Sequence, residues 1–215
     1  VMLLVDVSAS GDFGSQGRTK AELAAEVAAQ IAFSATANND RVGLILFSDR
    51  VEKQVPPRKG RKHVMRVISD ILSTKPQGRG TDLSAGLTRL RQLAPRRAVT
   101  FLISDFMARD YAAPLRLVAR RHDLVPEVLA DPMEARLPAL GLVELEDPET
   151  GERLLVDASS VVMRRTLERL SLEARAERQT LFRKLRLDHI ELSAGDDHGL
   201  ALQRFFRNRA RRLSA

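Results

Sequence analysis

The chain has 215 residues, 44% hydrophobic and 29% charged, with no Cys and no Trp. The absence of Cys excludes a disulfide scaffold, Cys-ligated zinc, iron–sulfur clusters and a thiol nucleophile, and no apolar run approaches the roughly 18 residues that span a bilayer. The formal net charge of +7 would ordinarily suggest nucleic acid, but residues 1–49 hold three bases (Arg18, Lys20, Arg41) against six acids (Asp6, Asp12, Glu22, Glu26, Asp40, Asp49). The basic excess lies in Arg58–Arg66, in Arg164–Arg186 and in the C-terminal fifteen residues.

Val1–Val5 is a continuous β-branched and apolar run, the pattern of a strand buried on both faces. A chain that opens on a core strand is expected to lack an upstream segment, which could carry an anchor or signal. Thr19-x-x-Glu22 is a capping box that opens a helix with Leu23, Val27 and Ile31 on its buried stripe. Arg41–Phe47 and Val51–Val55 read as an antiparallel strand pair around Asp49-Arg50. Helices are expected over His63–Leu72, around Leu83, Leu87 and Leu90, and over Ala112–Arg121, with a strand at Ala98–Ser104 between the last two. Leu124–Leu129 reads as a strand weakened by Pro126. Leu142–Glu146, a turn over Asp147–Gly151, and Arg153–Val156 form a hairpin insertion within 141–157. A long helix from Ser160 to Leu185, a short strand His189–Leu192 and a helix Gly199–Arg212 complete the chain, with Leu202, Phe205 and Phe206 facing inward. No linker divides the sequence, so a single domain over 1–215 is expected. The alternation predicts a Rossmann-like α/β sandwich with a mostly parallel central sheet flanked by helices.

In such a sheet, sites form beyond the carboxyl ends of the strands. Three segments there carry oxygen ligands: Asp6-Val7-Ser8-Ala9-Ser10 after the first strand, Gly80-Thr81-Asp82 before a helix, and Ser104-Asp105 ending a later strand. Asp6, Ser8, Ser10, Thr81 and Asp105 are a donor set suited to a hard divalent cation such as Mg²⁺, with Mn²⁺ or Ca²⁺ as substitutes. Each motif alone is commonplace. Asp and Ser are ordinary turn residues, Thr81 could cap its helix, and Asp105 could close an Asx-turn. All three together, in this order and at these positions, favour the metal site.

This combination resembles the metal-ion-dependent adhesion site of the von Willebrand factor A domain. The chain is also similar to a bacterial family of unknown function whose members accompany MoxR-type AAA+ ATPases. That similarity lies in Leu102–Phe106, Ala119–Asp123, Glu144–Gly151 and Leu202–Phe206. The resemblance implies that Ser8, Ser10 and Thr81 contact the metal while Asp6 and Asp105 bind directly or through water. It further implies that an acidic side chain of a protein partner fills an open coordination position, and that the partner is a MoxR-type ATPase or its client.

Enzyme readings lack support in the sequence. From Gly11 the register of a phosphate-binding loop places Gln16 where Gly is required, Gly11, Gly14 and Gly17 have the wrong spacing for a dinucleotide site, and Ser8 stands where an aspartyl-phosphate phosphatase would need a second acid. The four His, at 63, 122, 189 and 198, fall in separate elements without metal spacing and are expected at the surface or strand edges. A nucleic-acid-binding protein and a Mg-dependent phosphate-ester hydrolase are the alternatives. Scarce aromatics weigh against the first, and Glu168, Glu173 and Glu177 are expected to pair with Arg169, Arg175 and Arg178 along their helix. The expected role is therefore a non-enzymatic, cytoplasmic adaptor.

Overall fold

A computed structural model of the chain describes residues 1–15, 17–147, 150–193 and 195–213. In chain order the first half comprises β1 (Met2–Asp6), α1 (Lys20–Ala37), β2 (Val42–Phe47), β3 (Val51–Arg58), α2 (Arg61–Ser73), α3 (Leu83–Leu93) and β4 (Val99–Ser104). The second half comprises α4 (Ala112–Ala119), β5 (Asp123–Ala130), α5 (Pro132–Ala135), β6 (Leu142–Glu146), β7 (Arg153–Asp157), α6 (Val161–Lys184), β8 (Ile190–Ser193) and α7 (His198–Leu213).

All five residues of β1 are buried. Leu3 and Val5 enter one hydrophobic core and Met2 and Leu4 the other, so the strand is covered on both faces. The sheet order is β3-β2-β1-β4-β5-β8, parallel except for β3. Helices α1, α2 and α7 cover one face, and α3, α4 and the end of α6 cover the other. This is the α/β sandwich with a mostly parallel sheet that the alternating pattern predicts, the von Willebrand A architecture. The hairpin β6–β7 stands apart as a two-stranded sheet. Of its expected turn, Pro148 and Glu149 lie outside the described residues.

Several boundaries differ from expectation for local reasons. β3 runs to Arg58 through Pro56 and Pro57, which an edge strand tolerates because the missing N–H groups need not join a ladder. Pro126 sits in β5 next to β4, but the pairing with β8 begins only at Glu127, so one flank of Pro126 is free of a strand. The sequence reading contained no helix at 132–135; α5 is there, opened by Pro132 and by a capping box between Asp131 and Glu134. His122 and His198 are buried rather than superficial. Arg169 does pair with Glu173, but Arg175 and Arg178 both reach Glu191 on β8 and tie α6 to the sheet edge.

Among the described residues, exposed bases without an ion pair concentrate at one end of the sheet. Parallel strands begin at one end, where Arg41 precedes β2, Arg96 and Arg97 precede β4, and Arg120 and Arg121 precede β5. Antiparallel β3 ends there too and leads through Lys59 to Arg61 and Lys62. All of these bases are exposed, and among the described residues none joins a salt bridge. The opposite end carries the candidate site.

Candidate metal centre

Register brings the site together. Asp6 is the last residue of β1, and Val5 pairs with Ile103 of β4, so Asp6 lies beside Ser104 and Asp105. After Asp6 the chain turns: Ser8 N–H and Ser8 Oγ both donate to Asp6 Oδ1, at 3.0 and 2.6 Å. A short 3-10 turn, Ala9–Asp12, follows. The third segment is held by backbone bonds, with Ala9 N–H donating to Arg79 O and Asp82 N–H to Ser48 O.

Asp82, not Thr81, caps α3, accepting from Ser84 N–H at 2.8 Å. The Thr81 hydroxyl instead donates to Ser8 Oγ at 2.8 Å, and Ser10 Oγ lies 3.1 Å from the same atom. Ser8 Oγ is thus surrounded by Asp6 Oδ1, Ser10 Oγ and Thr81 Oγ1 at 2.6–3.1 Å. Adjacent ligands of an octahedral Mg²⁺ with bonds near 2.05 Å sit about 2.9 Å apart. Asp6, Ser8, Ser10, Ser104, Asp105 and Lys20 line a cleft of about 10 Å³, room for about one water-sized body. Donor chemistry and spacing of Asp6, Ser8, Ser10 and Thr81 therefore fit a small hard cation; Asp105 joins Asp6, Ser8 and Ser10 in lining the cleft, whereas Thr81 is tied in through Ser8 and does not line it. Among the described residues no three His, Cys, Asp or Glu side chains group to hold a metal, so a cation here would depend on the hydroxyls.

Asp105 is aimed by its loop. Phe106 takes φ +58°, unusual for a bulky residue, which brings Met107 N–H onto Asp105 Oδ1 at 3.1 Å and Phe106 N–H onto Ser104 Oγ at 3.0 Å. Edge contacts of the Phe106 ring with Tyr111 and Phe182 hold this strained turn. The loop after Ser10 bends back through Gly14, where a Cβ would run into the Arg18 carbonyl oxygen.

Burial, reinforced by the neighbouring Asp105 carboxylate, pushes Asp6 up to about 6 against the hydrogen bonds from Ser104 and Ser8 that oppose the shift. Ser104 Oγ donates to Asp6 Oδ2, a role the sequence reading did not assign.

It also missed Lys20, Asp131 and Glu134. Lys20, the first residue of α1, is 3% exposed, and its ammonium lies 2.6 Å from Asp105 Oδ2 and 2.5 Å from Glu134 Oε1. Burial would lower its pKa, but the two carboxylates outweigh burial and hold it above the ordinary value. Asp131 caps α5 and also receives Ser15 N–H and Ser15 Oγ at 2.7 and 2.5 Å, which pins the glycine loop to the β5–α5 corner. Both features leave a trace in the sequence: a Lys at the electropositive start of a helix is misplaced unless acids meet it, and Asp131-Pro132-x-Glu134 is a capping signature.

The sequence matches the family described as "Protein of unknown function DUF58" over residues 1–177. Uncharacterized protein Rv1480 of Mycobacterium tuberculosis is 35% identical over 152 residues, covering 69% of this chain and 48% of that protein. The chain thus spans about half the length of the relatives it matches. Among solved structures, the conserved hypothetical protein BatB from Bacteroides thetaiotaomicron superposes with a TM-score of 0.64 at 14% identity, over 98% of both chains. An aerotolerance-related membrane protein from Bacteroides fragilis gives a TM-score of 0.64 at 16% identity over 96% of both. At these identities the likeness is one of fold. In the described residues of this chain, no helix is long and apolar enough to cross a membrane. With the family model matching 177 of its 215 residues, the chain belongs to the DUF58 family.

Proposed function

We propose that the chain is a metal-dependent protein-binding module rather than an enzyme. Asp6, Ser8, Ser10, Thr81 and Asp105 would hold Mg²⁺, or Mn²⁺ or Ca²⁺ in its place, and the bound cation would take an acidic side chain of a partner. The observation that carries this reading is the clustering of oxygens around Ser8 Oγ at 2.6–3.1 Å. Two carboxylates roughly neutralise a divalent ion and hydroxyls add no charge, so the cation keeps affinity for one more carboxylate. The sequence resemblance makes a MoxR-type AAA+ ATPase or its client the partner we propose, acting in cytoplasmic protein assembly or remodelling.

The test is thermal unfolding in MgCl₂ and in EDTA. At a hundredfold excess over Kd the metal adds about 2.7 kcal/mol, on the order of 5–10 °C in Tm for a domain of this size. Asp6→Ala and Thr81→Ala remove that increment. Identical melting curves in Mg²⁺ and EDTA refute the site; an ATPase captured equally well with EDTA refutes the mode of binding.

A further inference from the structure

Building on the metal-site reading, we propose that Lys20 is a tethered cation that competes with the divalent ion for Asp105. The chain thereby carries an internal stand-in for its metal. Lys is seldom fully buried and a positive charge is disfavoured at a helix N-terminus, yet Lys20 is 3% exposed and opens α1. Its ammonium takes Asp105 Oδ2 at 2.6 Å while Met107 N–H takes Oδ1 at 3.1 Å. Both carboxylate oxygens of Asp105 therefore carry a donor, and the Lys20 ammonium occupies a lone pair of Oδ2 that a metal would use. Lys20 also lines the same cleft as Asp6, Ser8, Ser10 and Asp105, so ammonium and metal draw on one set of oxygens.

Glu134 supplies the alternative partner. Its Oε1 accepts from Lys20 at 2.5 Å, and its Oε2 accepts from Asp131 N–H at 3.3 Å, which fixes the carboxylate at the start of α5. A metal that claims Asp105 leaves Lys20 on Glu134. Metal binding is then an exchange of one cation for another around carboxylates already in place. In the metal-free protein the ammonium keeps Asp105 neutralised and the site assembled. Removing it leaves buried carboxylates uncompensated, which destabilises the metal-free state and strengthens the attraction for a divalent ion.

The experiment is calorimetric titration of Mn²⁺ into the full chain near neutral pH, with thermal melts of the same proteins in EDTA and in Mn²⁺. Lys20→Met is expected to melt lower in EDTA and to bind Mn²⁺ roughly tenfold more tightly, with the lost Tm restored by the metal. Lys20→Arg, which keeps the charge, is expected to stay within about threefold of wild type. Glu134→Gln leaves the ammonium on Asp105 alone and is expected to weaken Mn²⁺ binding. Equal or weaker binding by Lys20→Met, with wild type binding normally, overturns the competition and leaves the site standing. Absence of binding in every protein overturns the metal site and the competition together. Should Lys20→Met fail to fold, Glu134→Gln decides: unchanged affinity overturns the competition.

Discussion

Ser104 Oγ donates to Asp6 Oδ2 at 2.6 Å, joining the last residue of β4 to the last residue of β1. The same oxygen accepts Phe106 N–H at 3.0 Å, so one hydroxyl ties the Asp6 carboxylate to the turn that aims Asp105. Ser104→Ala leaves both groups buried without this partner and is expected to cost about 1–3 kcal/mol in urea unfolding. Asp6 also loses a hydrogen bond that restrains its pKa, so the variant should need a higher pH than wild type to bind Mn²⁺. Wild-type stability in Ser104→Ala would contradict this role.

The raised pKa of Asp6 predicts a definite pH dependence for the proposed metal stabilisation. In the metal-free protein the group titrates near 6 instead of 3.8. The stability it contributes is therefore complete below 3.8 and lost as pH rises through 6. A bound cation favours the ionised form and offsets that loss. The increment in Tm from Mg²⁺ should accordingly grow between pH 5 and pH 7, about one pH unit either side of the value near 6, as read by melts at each pH. A constant increment over that range would show that Asp6 ionisation is not linked to the metal.

Glu127 should dominate the pH dependence of the metal-free protein. Its side chain is fully buried within β5, neither oxygen has a hydrogen-bond partner among the described residues, and burial raises its pKa from 4.5 to about 8. With the folded value above the unfolded one, its stabilising contribution is complete below 4.5 and falls as pH rises towards 8, by up to about 1.4 kcal/mol per pH unit. In EDTA, wild type should need less urea to unfold at pH 8 than at pH 5, while Glu127→Gln should keep only the part of the slope below about 6 that belongs to Asp6. Equal slopes in the two proteins would mean that Glu127 is not the titrating group.

Thr81 and Asp82 are adjacent but should respond differently to truncation. Asp82→Ala removes the α3 cap and is expected to lower stability by about 1 kcal/mol with metal binding only weakened. Thr81→Ala leaves the cap in place and is expected to lose metal binding with a smaller change in stability. Urea unfolding and Mn²⁺ titration of both variants test the contrast, and a reversed pattern would return Thr81 to the role of a cap.

Much of the fold was legible because the strands around β1 are unbroken apolar runs and Thr19 announces α1 with a capping box. The oxygen cluster was legible for a topological reason: parallel strands deliver their last residues to one edge, and the pairing of β1 with β4 makes Asp6 and Asp105 neighbours there. The acceptors of Lys20 lie 85 and 114 positions away in the chain, and no local pattern pairs it with them. Thr81 was ambiguous because either it or Asp82 could serve as the cap; the choice depends on where the Ser48 carbonyl holds the Asp82 amide. The strand boundary at Pro56 was misplaced because proline ends a central strand but is compatible with an edge.

The concentration of unpaired bases at one end of the sheet has an electrical consequence. Strands of five or six residues hold the arginine-rich end and the oxygen cluster roughly 15–20 Å apart, about two Debye lengths at physiological ionic strength. From a distance, an acidic protein meets the net charge of +7, most concentrated at the arginine end. Capture of a carboxylate at the oxygen cluster, as proposed, would then be a short-range event, governed by stereochemical fit after contact. Added salt would screen the long-range attraction without loosening the bond itself, so association should slow as ionic strength rises while dissociation changes little.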